Sequence, residues 1–323
     1  MNIVLHFENI LPVKTYGGIE RIVFWHMCEL VKHGHRVTLI GHPQSQVSKY
    51  GIHHIPIDLN DKDSWIKLIP DNTDIIHLNY NHDPQIGIPV INTVHGNGKV
   101  GESFTQNSVF VSKKHAENHN AQAFVYNAVD FSEYPFIRKD LNWDRFLFLA
   151  KASWRVKNLN QAVKACRNSH KHLEVIGGRW WGLSRYIHNH GIIGGIDKLK
   201  IMSQCDCLIF PVRWHEPFGI AVIEAMSQGL PVIGSPYGSL PELITSNTGF
   251  IAQNYHELES LVKSNSKKFD AEEIRKSVEE RFNITKHAEA YLELYKQVIS
   301  GKKLNSQNPS WAFTSRAENL LPF

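Results

Sequence analysis

Two acids are set apart by their surroundings. Glu216 and Glu224 lie eight positions apart in HEPFGIAVIEAMSQGLPVIG, residues 215–234. Pro217 suits a first helical turn, Ile220, Ile223 and Met226 supply an apolar stripe, and Gly229 ends the helix before a buried strand. This spacing predicts Glu216 at the mouth of a helix and Glu224 within it, roughly 12 Å apart at about 1.5 Å per residue. The two carboxylates of a glycosidase stand only roughly 5–9.5 Å apart. A hydrolytic acid and base pair is therefore disfavoured, and the two acids are read as holding different parts of one extended ligand.

YGGIER, residues 16–21, precedes an amphipathic segment. Gly17 and Gly18 at a helix start allow close backbone approach, and the free N–H groups there favour a phosphate. Gly-Gly is equally a sharp turn, and the three-glycine dinucleotide fingerprint is missing. His95, in TVHG, follows an apolar strand at its carboxyl end, where open parallel sheets place catalytic residues. The chain has 19 histidines, so position rather than residue type singles this one out. His115 and His119 have a helical i, i+4 spacing that can hold metal, but no third ligand accompanies them. Trp214, beside Glu216, offers a flat ring suited to a sugar face, although core packing is the commoner use of such a ring. Cys28, Cys166, Cys205 and Cys207 lack any paired ligand spacing and are assigned no chemistry.

These residues need a scaffold, and 323 residues with 42% hydrophobic and 20% charged side chains are enough for two globular domains. The net charge of +4 falls well short of a nucleic-acid-binding surface. No apolar run reaches the roughly 18 residues of a membrane span, and the first acid, Glu8, precedes any signal-like segment. Short β-branched runs at 2–6, 36–41, 74–79, 89–95, 108–112 and 123–127 alternate with helical patterns. A second series has strands near 145–150, 173–177, 207–210, 231–234 and 249–252, with helices near 158–168, 198–204, 218–228 and 255–263. Residues 130–143 read as the linker, and 270–299 as charged helix. The expected fold is α/β, two facing doubly wound Rossmann-like domains with parallel sheets. The expected boundaries are 1–133 and 134–300, with a tail at 301–323 packing back on the first domain.

Taken together, EPFGIAVIEAM, GLPVI, and Gly238 followed by PEL resemble the signature of glycosyltransferase family 4, retaining enzymes of the GT-B fold. GGIER, NTVHG, FVSK, YNAVD and FLFLAKASWRVKN follow in the family's order, and the C-terminal half is the better match. The resemblance implies that Glu224 binds the ribose hydroxyls of a nucleotide. It implies that Glu216, with the backbone of Phe218, Gly219 and Ile220, holds the donor sugar, and that His95 contacts that sugar near the reacting carbon. The family places an Arg and a Lys on the donor diphosphate, in a pattern of strand–Gly–Arg and then Lys–Gly. This chain has Ala150–Lys151 and Lys157–Asn158 there, so the pair is two lysines, which supply point charges without the bidentate fork of arginine.

The implied activity is transfer of a sugar from a UDP- or GDP-linked donor to a carbohydrate, lipid-linked or small-molecule acceptor, with retention of configuration. Lys151, Lys157 and the amides of Gly18 would take up the phosphate charge, with no metal or other cofactor needed. The alternatives are a non-catalytic nucleotide-sugar or glycan-binding subunit, suggested by the departures at 150, 151 and 158, and a GT-B phosphorylase or epimerase. The partners expected are the nucleotide sugar and the acceptor, with first-domain loops at 8–16 and 96–102 meeting the acceptor; nucleic acid is excluded. The expected location is the cytoplasm, with peripheral contact at the inner face of the membrane left open.

Overall fold

The computed structural model describes residues 1–13, 17–61, 64–136, 140–265 and 267–323. Two compact units emerge. The first contains Met1–Val13, Gly17–Val129 and Ile284–Ser315, and the second contains Asp130–Asn283 and Arg316–Phe323.

In the first unit, β1 (Asn2–Phe7), α1 (Gly18–Lys32), β2 (Arg36–Gly41), β3 (His53–Pro56), β4 (Ile75–Leu78), β5 (Val90–Val94), β6 (Ser108–Phe110) and α2 (Lys113–Glu117) follow one another. Their parallel sheet has the order β3-β2-β1-β4-β5-β6. β1 is buried from Ile3 onward on both faces, as a central parallel strand must be. α1 turns Ile22, Val23, Met27 and Leu30 inward, while Ile19 in its first turn stays exposed.

The second unit repeats the plan with β7 (Arg145–Leu149), α3 (Leu159–Asn168), β8 (His172–Ile176), β9 (Ile187–Gly191), α4 (Gly195–Met202), β10 (Cys207–Phe210), α5 (Ile220–Ser227), β11 (Val232–Gly234), α6 (Leu240–Leu243), β12 (Gly249–Ile251), α7 (Tyr255–Lys263) and α8 (Ala271–Phe282). Its sheet order is β12-β11-β10-β7-β8-β9, the same doubly wound pattern. The strand order reverses between β7 and β10, so a ligand crevice belongs beyond the carboxyl ends of those two strands.

Several expectations are corrected. Residues 123–127 form no strand; Phe124 makes a single bridge to Phe110, because β6 ends there and offers nothing further to pair with. β3 and β9 carried no apolar run because both are half-exposed edge strands, reading HHIP and IHNHG. α5 begins at Ile220 rather than near 218, since Gly219 has φ +88°, a left-handed conformation that a helix cannot contain. The helical stretch 270–299 is two helices, broken where Asn283 is extended. The second, α9 (Ile284–Ile299), packs in the first unit. There Tyr295 bonds His26 and His77, Tyr291 bonds Thr93, and His287 bonds the carbonyl of Tyr126. The boundary expected at 300 therefore falls at 283. The tail divides likewise: residues up to Ser315 belong to the first unit, and Arg316–Phe323 belong to the second. No helix among the described residues is long and apolar enough to cross a membrane.

Candidate functional site

In the second unit, the loop after β7 and the loop after β10 meet at the point where the strand order reverses. The first carries Lys151 and Lys157. Its backbone lies against the chain leaving β8, with Ala152 N–H donating to the Gly177 carbonyl at 2.9 Å. A Cβ on Gly177 would sit 2.1 Å from the Ala150 oxygen, so this close approach requires glycine. A short turn over Arg155–Lys157 ends at Asn158, which has φ +61°. Asparagine tolerates that left-handed conformation better than most residues. It also donates from Nδ2 to the Pro211 carbonyl at 2.8 Å. The departure from Lys–Gly to Lys–Asn thus keeps the turn and ties it to the β10 loop.

The β10 loop carries Trp214 and Glu216. Lys157 Nζ lies 2.6 Å from Glu216 Oε2, and the indole N–H of Trp214 donates to the same oxygen at 2.7 Å. The Lys157 ammonium also sits over aromatic rings, 4.7 Å from the centre of Trp214 and 5.3 Å from Phe210. Trp154 stands between the two lysines, 5.2 Å from Lys151 and 6.0 Å from Lys157, and meets Trp214 edge to face. Lys157 and Glu216 are both nearly buried, which removes the solvent screening that makes surface pairs weak.

A third loop fixes the height of Glu216. Gly238 has φ +62°, and a Cβ there would lie 2.2 Å from the Glu216 carbonyl oxygen and 2.3 Å from its nitrogen. The neighbouring Ser239 donates from its amide to the Glu216 carbonyl at 3.0 Å and from Oγ to the Phe218 carbonyl at 2.6 Å. Phe218 is buried against Phe282, and Gly219 caps α5, so Ile220 opens the helix with its N-terminal amides at the loop.

Glu224 is placed differently. It lies on α5, buried, with Tyr134 O–H and Lys198 Nζ both on Oε1, the lysine at 2.6 Å. Lys198 comes from α4 and Tyr134 from the segment before β7. No sequence signal marked either one, because a lysine in an amphipathic helix and a tyrosine in a linker look ordinary until the fold buries them. The site thus presents two buried carboxylates, each already paired with a lysine.

The other expected residues lie in the first unit. His95 follows β5; its Nε2 faces Asn79 Oδ1 at 2.9 Å, while its Nδ1 is buried without a partner. With Oδ1 as acceptor, Nε2 carries the hydrogen and Nδ1 keeps a bare lone pair. Burial, reinforced by the nearby His287, pulls the His95 pKa down to about 3, so the ring is neutral at ordinary pH. Gly17 caps α1 and Gly18 begins it. The Glu20 carboxylate folds back over that cap, accepting from Asn9 Nδ2 at 2.9 Å and crowding the position of a Gly17 side chain. An incoming phosphate would have to displace it. Tyr16 lies outside the described residues. His115 and His119 are engaged with the backbone: His115 Nε2 with the Gly96 carbonyl, and His119 Nε2 accepting from Gly98 N–H. Among the described residues, no three His, Cys, Asp or Glu side chains gather as a metal site.

Residues 134–283 match the family model described as glycosyl transferases, group 1. A phosphatidyl-myo-inositol mannosyltransferase of Propionibacterium freudenreichii is 25% identical over 144 residues, 41% of this chain and 37% of that protein. The chain therefore spans well under half the length of this relative. Among solved structures, AviGT4, a glycosyltransferase involved in avilamycin A biosynthesis, superposes with a TM-score of 0.76 at 20% identity, covering 93% of this chain and 98% of that one. Anabaena HepE, solved in complex with UDP and glucose, gives a TM-score of 0.69 at 15% identity, over 92% of this chain and 100% of that one. The two doubly wound units are those of the GT-B fold.

Proposed function

We propose that this chain, whose residues 134–283 match the group 1 glycosyltransferase model, transfers a sugar from a nucleotide-diphosphate sugar to a hydroxyl acceptor. The observation that carries the reading is the Lys157–Glu216 pair under Trp214, at the reversal of strand order in the second unit. A diphosphate entering beside Trp154 draws on Lys151 and Lys157. As Lys157 turns to phosphate, Glu216 loses one donor and gains two hydroxyls of the sugar, so the ion pair is exchanged for a pair of charge-assisted contacts. The amides at Phe218, Gly219 and Ile220 add donors at the start of α5. Glu224, oriented by Lys198 and Tyr134, accepts from the ribose. The donor is UDP- or GDP-linked, a choice that HepE's bound UDP tilts toward UDP.

In transfer, the bond from the anomeric carbon to the phosphate oxygen breaks and the bond to the acceptor oxygen forms on the same face. The acceptor proton passes to the departing phosphate oxygen. Lysine charge and helix amides stabilise that phosphate without requiring a metal ion. In the first unit, neutral His95 offers Nδ1 as an acceptor for a sugar hydroxyl, and the amides at Gly17 and Gly18 are donors suited to a phosphate. The acceptor is a carbohydrate or a lipid-linked sugar.

The test is a thermal-shift panel of UDP, GDP, ADP and their sugars, with and without chelator, followed by product analysis on the donor that stabilises most. One donor should raise the melting temperature equally in chelator and yield a glycosylated acceptor with the donor's anomeric configuration. Stabilisation without any product across acceptor extracts would favour a binding subunit instead.

A further inference from the structure

The last residues of the sequence return to the second unit and close against the two loops of the candidate site. Leu321 N–H donates to the Arg213 carbonyl at 2.9 Å, and the Arg213 side chain donates from Nε back to the Leu321 carbonyl at 2.7 Å. The Arg213 amide in turn donates to the Val156 carbonyl at 2.7 Å. One residue therefore links the strap, the lysine turn and the β10 loop, and it sits one position before Trp214. At the far end, Gln161 Nε2 donates to the Phe323 carbonyl at 3.0 Å, while Gln161 Oε1 accepts from Asn158 Nδ2, the amide that also reaches Pro211. Tyr237 O–H bonds the Pro322 carbonyl, immediately before the Gly238 that supports Glu216. Leu320 helps to wall a 260 Å³ cavity together with Trp154, Arg155 and Arg213.

We infer that residues 316–323 act as a strap that positions the sugar-holding side of the site, with Arg213 as its positioning residue. Every loop holding Lys157, Trp214 and Glu216 has a bond to the strap or to a residue that bonds it. None of these bonds involves Glu224, Lys198 or Tyr134, so the strap governs the sugar end and leaves the ribose end alone. It orders three loops that would otherwise each need to find their geometry on binding, which is the usual cost of a site built on loops. The inference rests on the proposed donor site for its functional consequence, but its structural content is independent.

The test compares the full chain with a version ending at Ser315, and with Leu321→Pro, which removes the single N–H to Arg213 while keeping the chain length. Hydrogen exchange at residues 156–158 and 213–216 should speed up in both variants. Affinity for the stabilising nucleotide sugar should fall about tenfold on truncation, the equivalent of one to two hydrogen bonds. Affinity for the corresponding free nucleoside should stay unchanged, and adding a synthetic 316–323 peptide should restore sugar-nucleotide binding to the shortened chain. Unchanged exchange in both variants overturns the strap, whatever the ligand data. An equal loss for sugar nucleotide and nucleoside overturns it too, since that marks a general loss of folding. If exchange rises as expected but the full chain binds no nucleotide sugar, the strap stands and the proposed activity fails.

Discussion

Lys157 meets two demands at once, because its ammonium neutralises Glu216 while aromatic rings shield it from water. Removing the charge of one partner of a buried pair leaves the other charge uncompensated, which is costly. Glu216→Gln keeps the side chain's shape but strands the Lys157 ammonium, so it should cost about 3 kcal/mol in denaturant titration and lower transfer at least a hundredfold, as read by product formation at saturating donor. Undiminished turnover would remove Glu216 from the mechanism. Lys198→Met is expected to act likewise on the other pair. With its ammonium gone, the Glu224 carboxylate stays buried beside Tyr134, and the folded state should lose about 3 kcal/mol in denaturant titration. At this scale the ordered motifs singled out Lys157 and Glu216, which the fold brings into contact. The sequence was silent on Lys198 and Tyr134, whose importance arises only from burial against Glu224, and on the closed ion pair, which joins residues 59 positions apart.

Among the elements, glycines and edges decide most. Gly238 has room for no side chain, since the Glu216 backbone occupies the space that a Cβ would take. Gly238→Ala should push the Glu216 loop away from Ser239 and raise the donor KM by about tenfold or more, with a smaller effect on stability measured in the same preparation. An unchanged KM would mean that the loop adapts. The central strands were legible because parallel strands buried on both faces are short apolar runs, and 36–41, 207–210 and the helix at 255–263 appear with the expected bounds. β3 and β9 were not, because an edge strand tolerates histidine, asparagine and proline at positions a central strand cannot. The start of α5 was set by the backbone sign at Gly219, which the apolar stripe does not encode.

Across the whole molecule, the first unit holds an unusual number of neutral buried histidines. Burial lowers the pKa of His77 to about 3 and those of His6, His119 and His287 to about 4; all four are buried. A histidine in the unfolded chain takes up its proton near pH 6.5, whereas these do not until far lower pH. Between those values the unfolded state binds more protons, so the fold keeps its full stability above about pH 6.5 and loses it as pH falls. At pH 5 each residue costs about 2 kcal/mol, and the four together, about 8 kcal/mol, fall within the roughly 5–15 kcal/mol that holds a typical domain. Melting temperature should be flat from pH 8 to 7 and drop steeply by pH 5. A flat profile down to pH 5 would show that these rings are not buried neutral. The doubly wound plan of both units followed from alternating patterns, but the assignment of α9 to the first unit did not, because its amphipathic face gives no hint of which sheet will bury it.

The most direct measurement is calorimetric titration of the full chain, and of Lys157→Met, with UDP-, GDP- and ADP-sugars. The wild-type chain should bind at least one of them, and the variant should bind that same donor at least tenfold more weakly. Failure of the folded wild-type chain to bind any nucleotide sugar would contradict the account, as would a Lys157→Met variant that binds as tightly as the wild type.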